Sequence, residues 1–198
     1  MCIICVSPKG VRQPTIPTIR TMFRRNPHGA GFMCIREGKV MISKGYMNED
    51  SFIRAITYEN FTAADPVVYH FRISTQAGVK PEMTHPFPLS CQRSHMKMLD
   101  VLCNCGIAHN GVIQLTSDAK NAEYSDTAIF VTDYLADLIR KPDDLKNPTM
   151  LKLIKHLAGS KLAIMDASGY IATVGDFINE RGLLFSNYSY TAYYRRAC

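Results

Sequence analysis

The order of apolar and polar residues along the chain predicts five strand segments before residue 180. CIICV is a continuous apolar run, which indicates a short strand buried on both faces. GFMCIREGKVMIS alternates on either side of Glu37-Gly38 and predicts a hairpin that turns there. VVYHFRI and part of CGIAHNGVI predict strands, and KLAIMDASGYIATVG predicts a second hairpin. In order, these segments are residues 2–6, 31–43, 67–73, 105–113 and 161–175.

Four other segments repeat their apolar residues at helical spacing. The first contains Pro17 near its start and ends before Asn26-Pro27. The second follows Asn48, a residue type that caps helices. The third is long and opens at Ser125, and the fourth ends at a glycine. These predicted helices span residues 16–25, 49–58, 125–141 and 150–158.

Strands at both ends of the chain with helices between them favour a layered α/β or α+β arrangement of antiparallel sheets. The stretch 182–190, GLLFSNYSY, predicts one further strand near the end. Because the chain contains no internal repeat or low-complexity linker, we expect one domain over residues 1–198.

Composition narrows the class of protein. The 198 residues are 46% hydrophobic and 20% charged, as in ordinary globular proteins. Seven cysteines, an odd number without a secretory segment before them, indicate free thiols in a reducing cytoplasm. The net charge of +6 is a mild excess, and no basic stripe interleaves with aromatic residues. We therefore expect neither a nucleic acid nor a membrane as partner.

Two cysteine patterns leave alternatives open. Cys91, His95, Cys103 and Cys105 form a metal-like cluster, but no compact CxxC pair occurs among them. Free thiols are the favoured interpretation, with no metal or cofactor. Cys2 follows Met1 directly, so it is either a buried strand residue or, once Met1 is removed, an N-terminal nucleophile.

Five stretches together decide between these interpretations of Cys2. In this order along the chain, they resemble the class II glutamine amidotransferases, whose glutaminase domain is an N-terminal-nucleophile hydrolase. The arrangement also resembles a short branch, associated with phages and bacteria, that stands alone as a glutaminase-like domain. The stretches are MCIICV (1–6), NPHGAGF (26–32), HFRISTQAGV (70–79), GIAHNGVI (106–113) and YSDTAIF (124–130).

The resemblance implies a fold and an activity. The fold would be α+β, a four-layer αββα sandwich of antiparallel sheets, formed by a single type 2 glutamine amidotransferase domain. Cys2 would attack the side-chain amide of glutamine or of a γ-glutamyl compound, giving a thioester and ammonia. Its α-amino group, with an ordinary pKa of about 7.7–8.0, would carry the proton. Asn110 and the backbone N–H of Gly111 would form the oxyanion hole, although an Asn-Gly pair is also a common tight turn.

The resemblance also implies substrate contacts. Arg72 would bind the α-carboxylate with its forked guanidinium, although a lone arginine at a strand end is usually a surface residue. Thr75 matches a threonine that lines the glutamine site, and Gln76 stands where a histidine often follows it. Asp126 would bind the α-ammonium group, with helix capping as its rival role.

His28, His109 and the glycines beside His28 are assigned no part in the reaction itself. His28 replaces an aspartate that is frequent in the family, and we do not expect it to be catalytic. We interpret His109 as a buried histidine whose ring is satisfied by hydrogen bonds. The glycines of NPHGAGF would allow the backbone to approach a ligand.

The expected partners follow from the same resemblance. They are glutamine or a γ-glutamyl small molecule and, if ammonia is transferred, a separate synthase subunit that receives it. The expected location is the cytoplasm of a bacterium or of a phage-infected host. The alternative function is a non-catalytic binding or structural protein on the same scaffold.

Overall fold

A computed structural model of the chain describes residues 1–74, 79–114 and 123–191. Its strands form two antiparallel sheets, of seven and four described strands. The first sheet has the order β10-β11-β1-β4-β2-β3-β6 and the second the order β5-β7-β8-β9. The strands are β1 (Ile3–Ser7), β2 (Ala30–Arg36), β3 (Lys39–Tyr46), β4 (Val67–Phe71), β5 (Phe87–Pro88), β6 (Asp100–Cys103), β7 (Cys105–Asn110), β8 (Lys161–Asp166), β9 (Ile171–Val174), β10 (Ile178–Glu180) and β11 (Leu183–Phe185).

The helices are grouped before and after the second sheet's β7. Helices α1 (Ile16–Arg25) and α2 (Glu49–Glu59) come first. A later helical segment consists of α3 (Asp126–Phe130), a π turn (Val131–Leu135) and α4 (Ala136–Leu138), and α5 (Pro148–Ala158) follows it. Short 3₁₀ turns lie at Pro81–Met83, Arg93–Lys97 and Pro142–Lys146.

Three clusters of buried side chains show how the sheets and helices pack. Alternate residues of the first sheet, such as Ile3 and Phe71, pack against α1 and α2. The residues between them, such as Ile4, pack against Ala108 of the second sheet. The opposite face of the second sheet packs against α3, the π turn and α5. The two sheets therefore face each other, and helices contact the outer face of each.

β1 lies inside the first sheet, between β11 and β4. All five of its residues are buried, because one face contacts helices and the other contacts the second sheet. This double burial explains the unbroken apolar run IICV within β1. The expectation of a buried first strand is confirmed, and so is the coarser fold class, mixed α+β with two antiparallel sheets.

Several predicted elements have the expected bounds. The first helix spans Ile16–Arg25 with Asn26 as its C-cap, and Asn48 caps α2 by accepting from Ser51 N–H. The hairpin of β2 and β3 turns at Glu37 and Gly38, both of which have positive φ. The hairpin of β8 and β9 and the glycine end of α5 are also confirmed.

Three predicted elements are too long, and the first of them, the strand expected over 67–73, ends at Phe71. The helix expected over residues 125–141 includes a π turn and ends at Leu138. Pro142 explains why the helix does not reach residue 141, because a proline disfavours helical backbone in the residue before it. The strand expected over 182–190 is ordered as β11 only through Phe185. After Phe185, Ile4 N–H donates to the Ser186 side chain. If the strand continued, this N–H would donate to a backbone carbonyl oxygen instead.

The glycines of NPHGAGF serve packing instead of ligand approach. A Cβ at Gly29, whose φ is +110°, would lie 2.5 Å from Thr84 Cγ2. A Cβ at Gly31 would meet the carbonyl oxygen of His85 and the side chain of Lys44. The space beside these glycines is thus filled by protein, which corrects the expectation of a ligand there.

Candidate active site

Cys2 lies immediately before β1 and is half-buried. Side chains alternate along a strand, so Cys2 shares a face with Ile4, which points toward the second sheet. Its Sγ donates to the Ile73 carbonyl oxygen at 3.6 Å and accepts from Ile73 N–H at 3.4 Å. The thiol is therefore held against the backbone that follows β4, at the edge of the space between the sheets.

Burial raises the pKa of the Cys2 thiol above its ordinary value. The hydrogen bond from Ile73 N–H, the N-terminal ammonium group and the Arg72 guanidinium all act in the opposite direction, because each stabilises a thiolate. The thiol therefore stays protonated at neutral pH. A base is needed before it can act as a nucleophile.

Arg72 follows β4 directly and lies next to Cys2. The register of β1 and β4 pairs Ile3 with Phe71, which places the two neighbouring residues side by side. Arg72 backbone N–H donates to the Gly29 carbonyl oxygen at 2.8 Å. Its Nη2 lies 3.5 Å from Ser74 Oγ, whereas its buried Nη1 has no hydrogen-bond partner among the described residues.

His28 supports the segment that carries Arg72. Its backbone N–H donates to the Arg72 carbonyl oxygen at 2.9 Å, and its Nδ1 accepts from Ser74 N–H at 2.9 Å. These contacts give His28 a structural role. Thr75 and Gln76, which follow this segment, lie outside the described residues.

Asn110 and Gly111 are at the end of β7. Asn110 is 4% exposed, and its Nδ2 donates to Ser186 Oγ at 2.8 Å. Its Oδ1 is buried without a partner in the described part of the chain. The N–H donor expected for an oxyanion hole is thus engaged within the protein. Gly111 has a φ of +152°, and a Cβ there would collide with the Ser160 side chain, so the turn requires glycine.

Packing between the sheets brings Cys2 and Asn110 to the same edge. Ile4 and Ala108, two residues from each, belong to the same cluster between the sheets. Strand alternation then directs Cys2 and Asn110 to that same interior. Ser186 joins them, because its Oγ accepts from Ile4 N–H at 2.9 Å and contacts the Asn110 amide.

Asp126 is at the first turn of α3, but it is not the cap. Ser125 caps the helix by accepting from Ala128 N–H at 3.1 Å. One carboxylate oxygen of Asp126 accepts from Ile113 N–H at 2.7 Å and the other from Thr127 N–H at 2.7 Å. Asp126 therefore ties the start of α3 to the loop after Gly111.

His109 connects the end of β7 to its surroundings, and the expectation of a satisfied, buried ring is confirmed. Nδ1 lies 2.7 Å from Thr127 Oγ1 and Nε2 lies 2.7 Å from Ser160 Oγ. Burial lowers the pKa of His109 to about 4, although the Asp126 carboxylate opposes this change. The ring is therefore neutral at pH 7.

Two further buried histidines stack between the two sheets. The rings of His70 and His85 have centroids 4.4 Å apart, and His70 Nε2 lies 3.0 Å from the His109 carbonyl oxygen. Burial lowers the pKa of His70 to about 3 and that of His85 well below its ordinary value. These histidines were not singled out from the sequence, because a single histidine in an apolar run carries no signal of its neighbours.

Ser186 and Asn187 were also missed, since they lie inside the stretch predicted as a strand. Asn187 Nδ2 donates to the Cys2 carbonyl oxygen at 2.6 Å. The available signal was a polar Ser-Asn pair directly after the apolar run LLF.

The metal-like cluster has no metal-binding geometry in the described residues. Within them, no three histidine, cysteine, aspartate or glutamate side chains are grouped to hold an ion. Cys91 is exposed, His95 Nδ1 lies 2.9 Å from Ser90 Oγ, and Cys103 Sγ donates to the Cys105 carbonyl oxygen at 3.1 Å. The six described cysteines are free thiols.

Across the described ranges, no helix combines the length and apolarity required to cross a bilayer. No protein-family model and no curated protein sequence matches the chain.

Proposed function

We propose that this protein is a glutaminase-type amidohydrolase with Cys2 as its nucleophile. The substrate is glutamine or another γ-glutamyl compound, and the scaffold is the four-layer αββα sandwich of N-terminal-nucleophile hydrolases. The paired sheets with helices on their outer faces support this fold. Cys2, Arg72, Asn110 and Gly111 come from separate segments of the chain and meet at one edge of the sheets, which supports the site.

One observation carries the proposal: a buried guanidinium nitrogen without a partner, next to a cysteine. Arg72 Nη1 is one of four buried side-chain atoms without a hydrogen-bond partner among the described residues, and Asn110 Oδ1 is another. Buried polar groups are almost always paired, so an unpaired one needs an explanation, and a bound ligand would supply it at Arg72. A carboxylate would satisfy the free edge of the Arg72 fork.

The chemistry uses few groups. Cys2 Sγ attacks the carbon of the side-chain amide, and the developing negative charge on oxygen is stabilised by N–H donors at Asn110 and Gly111. The carbon–nitrogen bond then breaks, and ammonia leaves after it accepts the thiol proton through the base. Water attacks the resulting thioester, which releases glutamate and restores the thiol.

The base in this proposal is the α-amino group of Cys2. Because Met1 is 81% exposed, an aminopeptidase can reach it, and its removal converts the Cys2 amide nitrogen into an amine. A neutral amine accepts the thiol proton, whereas an amide nitrogen does not. The amine is needed because the raised pKa of the Cys2 thiol leaves little thiolate at pH 7.

Asp126, Thr75 and Gln76 remain proposed substrate contacts. Asp126 lies in the first turn of α3, and its carboxylate already accepts two backbone N–H groups, one of them from the loop after Gly111. An α-ammonium group would have to share that carboxylate. The proposal includes a cytoplasmic location and a separate synthase subunit as possible acceptor of ammonia.

The test measures ammonia release from glutamine by protein whose N-terminal residue is shown by mass spectrometry to be Cys2. We expect turnover in the wild type and none in Cys2→Ala. Cys91→Ala is the matched control, because it removes an exposed thiol away from the site and should leave turnover unchanged.

A diazo-ketone analogue of glutamine provides a second readout. It should add once, at Cys2, and glutamine should protect against it. If processed protein binds glutamine but neither releases ammonia nor takes up the label, the enzymatic proposal is wrong. The protein would then be a binding module on this scaffold.

A further inference from the structure

Ser186 and Asn187, directly after β11, contact both halves of the candidate site. Ser186 N–H donates to the Ile4 carbonyl oxygen at 3.0 Å, and Ile4 N–H donates to Ser186 Oγ at 2.9 Å. This reciprocal pair fixes Ser186 against β1, two residues after Cys2. Ser186 is 1% exposed, so water does not compete for these hydrogen bonds.

Asn187 holds Cys2 itself. Its Nδ2 donates to the Cys2 carbonyl oxygen at 2.6 Å, and its Oδ1 accepts from Ser189 N–H at 2.9 Å. Because both ends of the amide are engaged, its orientation is fixed. The backbone of the nucleophile is therefore positioned by a side chain from the other end of the chain.

Ser186 also reaches the second sheet. Its Oγ lies 2.8 Å from Asn110 Nδ2, and its carbonyl oxygen accepts from Lys161 Nζ at 2.7 Å. Lys161 is paired with Asn110 in the register of β7 and β8. Ser186 thus bonds to Ile4 of β1, the strand that follows Cys2, and to Asn110, the residue expected to stabilise the oxyanion.

We propose that Ser186 and Asn187 are positioning residues for amide hydrolysis, and that the Ser186 hydroxyl sets the orientation of the Asn110 amide. The inference rests on the proposed function. Asn187 fixes Cys2 and Ser186 fixes Asn110, so that this pair determines the separation of nucleophile and oxyanion donor.

The side-chain amide of Asn110 can adopt two orientations, and Ser186 Oγ can hydrogen-bond to it in both. In the present form Nδ2 donates to Ser186 Oγ, and Oδ1 is buried without a partner among the described residues. A half-turn about the Cβ–Cγ bond preserves the shape of the amide and places Oδ1 on Ser186 Oγ. A hydroxyl group accepts and donates at once, so Ser186 can then donate to Oδ1 while it still accepts from Ile4 N–H.

The second orientation is the one that can stabilise the oxyanion. It directs Nδ2 to the position where Oδ1 now lies, and an N–H donor there can bind the oxyanion. In this form the oxyanion replaces Ser186 as the partner of Nδ2. Alanine at position 186 would leave the amide without a partner that selects this orientation.

The test uses processed protein and four variants: Ser186→Ala, Asn110→Ala, the double variant and Ser186→Thr. For glutamine hydrolysis by Ser186→Ala, we expect kcat to fall about 10- to 100-fold, less than the roughly 100- to 1,000-fold loss of an oxyanion donor itself, with KM nearly unchanged. The double variant should be no slower than Asn110→Ala. Ser186→Thr keeps the hydroxyl and should retain most of kcat.

Matched controls separate positioning from folding. Ser168→Ala removes a hydroxyl at the opposite end of β8, where Ser168 contacts Asp166, and should leave kcat unchanged. Asn187→Ala changes a partly exposed residue and tests the Cys2 contact even where Ser186→Ala fails to fold. It should lower kcat without changing KM.

The outcomes distinguish the two proposals. Wild-type turnover that depends on Cys2, together with unchanged kcat in both Ser186→Ala and Asn187→Ala, overturns this inference alone. A double variant whose loss equals the product of the two single losses also overturns the orienting role of Ser186. No ammonia from processed wild type overturns the proposed function, and this inference with it.

Discussion

The two halves of the candidate site are built differently. In the first half, beside the first sheet, Cys2 Sγ bonds to the backbone of Ile73, and Arg72 is held through its backbone N–H, while its Nη1 has no partner among the described residues. In the second half, at the end of β7 and the start of α3, Asn110 and Asp126 are positioned by their own functional atoms, which bond to Ser186, Ile113 and Thr127. A ligand can therefore bind Arg72 Nη1 without breaking a hydrogen bond among the described residues. At the second half it must displace or share one.

This difference suggests which half responds to substrate. In the proposed mechanism, the first half would receive the substrate carboxylate, whereas the second would change its hydrogen bonds when the substrate or the oxyanion arrives. Variants of Arg72 should mainly affect binding. Variants of the oxyanion donor should mainly affect the chemical step.

The largest expected effect comes from the N-terminus. A protein with an uncleaved tag ahead of Met1 keeps an amide at Cys2 and therefore lacks the proposed base. We expect no detectable ammonia release, compared with full activity after protease cleavage of the same tag that exposes Cys2. Equal rates before and after cleavage would contradict the N-terminal-nucleophile mechanism and return Cys2 to the role of a buried strand residue.

Asn110→Ala should have the next largest effect. We expect kcat to fall by about 100- to 1,000-fold with KM nearly unchanged, because the donor meets charge that exists only in the transition state. Steady-state kinetics with glutamine measure both parameters. Unchanged kcat would show that the Asn-Gly turn is structural only.

Arg72→Lys should weaken substrate binding, since a point charge replaces a fork. We expect kcat/KM to fall roughly 10- to 1,000-fold, mainly through KM. Arg36→Lys is the matched control, because Arg36 is also partly buried but pairs with Glu59. An unchanged KM in Arg72→Lys would remove Arg72 from the site.

The local elements of the fold could be predicted from the sequence, whereas the contacts between distant segments could not. Helix α1 and the turn at Glu37 depend on neighbouring residues, and their signals are visible in sequence. The short strands β5 and β6 were missed, because their pairing depends on distant partners. The three-residue strand β10 was missed although it pairs with the neighbouring β11. No spacing rule indicates that Ser186 would bond to both Ile4 and Asn110.

The same distinction applies to site residues. Cys2, Arg72 and Asn110 were chosen by motif order, and the structure brings them to one edge, while their roles remain predictions. The sequence could not show that Ser125 would cap α3 and leave Asp126 to bond Ile113. Whether Asp126 caps the helix or bonds to Ile113 depends on the position of the loop after Gly111.

Asp126→Asn and Ser125→Ala separate substrate binding from helix capping. Ser125→Ala should lower the free energy of unfolding by about 0.5–2 kcal/mol and leave KM unchanged. Asp126→Asn should raise KM, because a neutral amide binds an ammonium group less well than a carboxylate. Urea titration and steady-state kinetics measure the two effects. A normal KM in Asp126→Asn with a lower unfolding free energy would make Asp126 purely structural.

The smallest expected effect concerns the buried histidines that lie between the halves. The folded-state pKa is lowered to about 3 for His70 and about 4 for His109, against about 6.5 in an unfolded chain. Between these values the unfolded chain binds protons that the folded chain does not. Stability is therefore full above pH 6.5 and is lost as the pH falls toward 4.

His70→Gln tests this pH dependence while it keeps an N–H donor for the His109 carbonyl oxygen. It removes one site at which the unfolded chain binds a proton, so the slope of unfolding free energy between pH 6 and 4.5 should fall by about 1.4 kcal/mol per pH unit. His156→Gln, at an exposed position of α5, should leave that slope unchanged. Equal slopes in the wild type and His70→Gln would mean that His70 is protonated in the folded protein. Its ring could then not remain neutral between the two halves of the site.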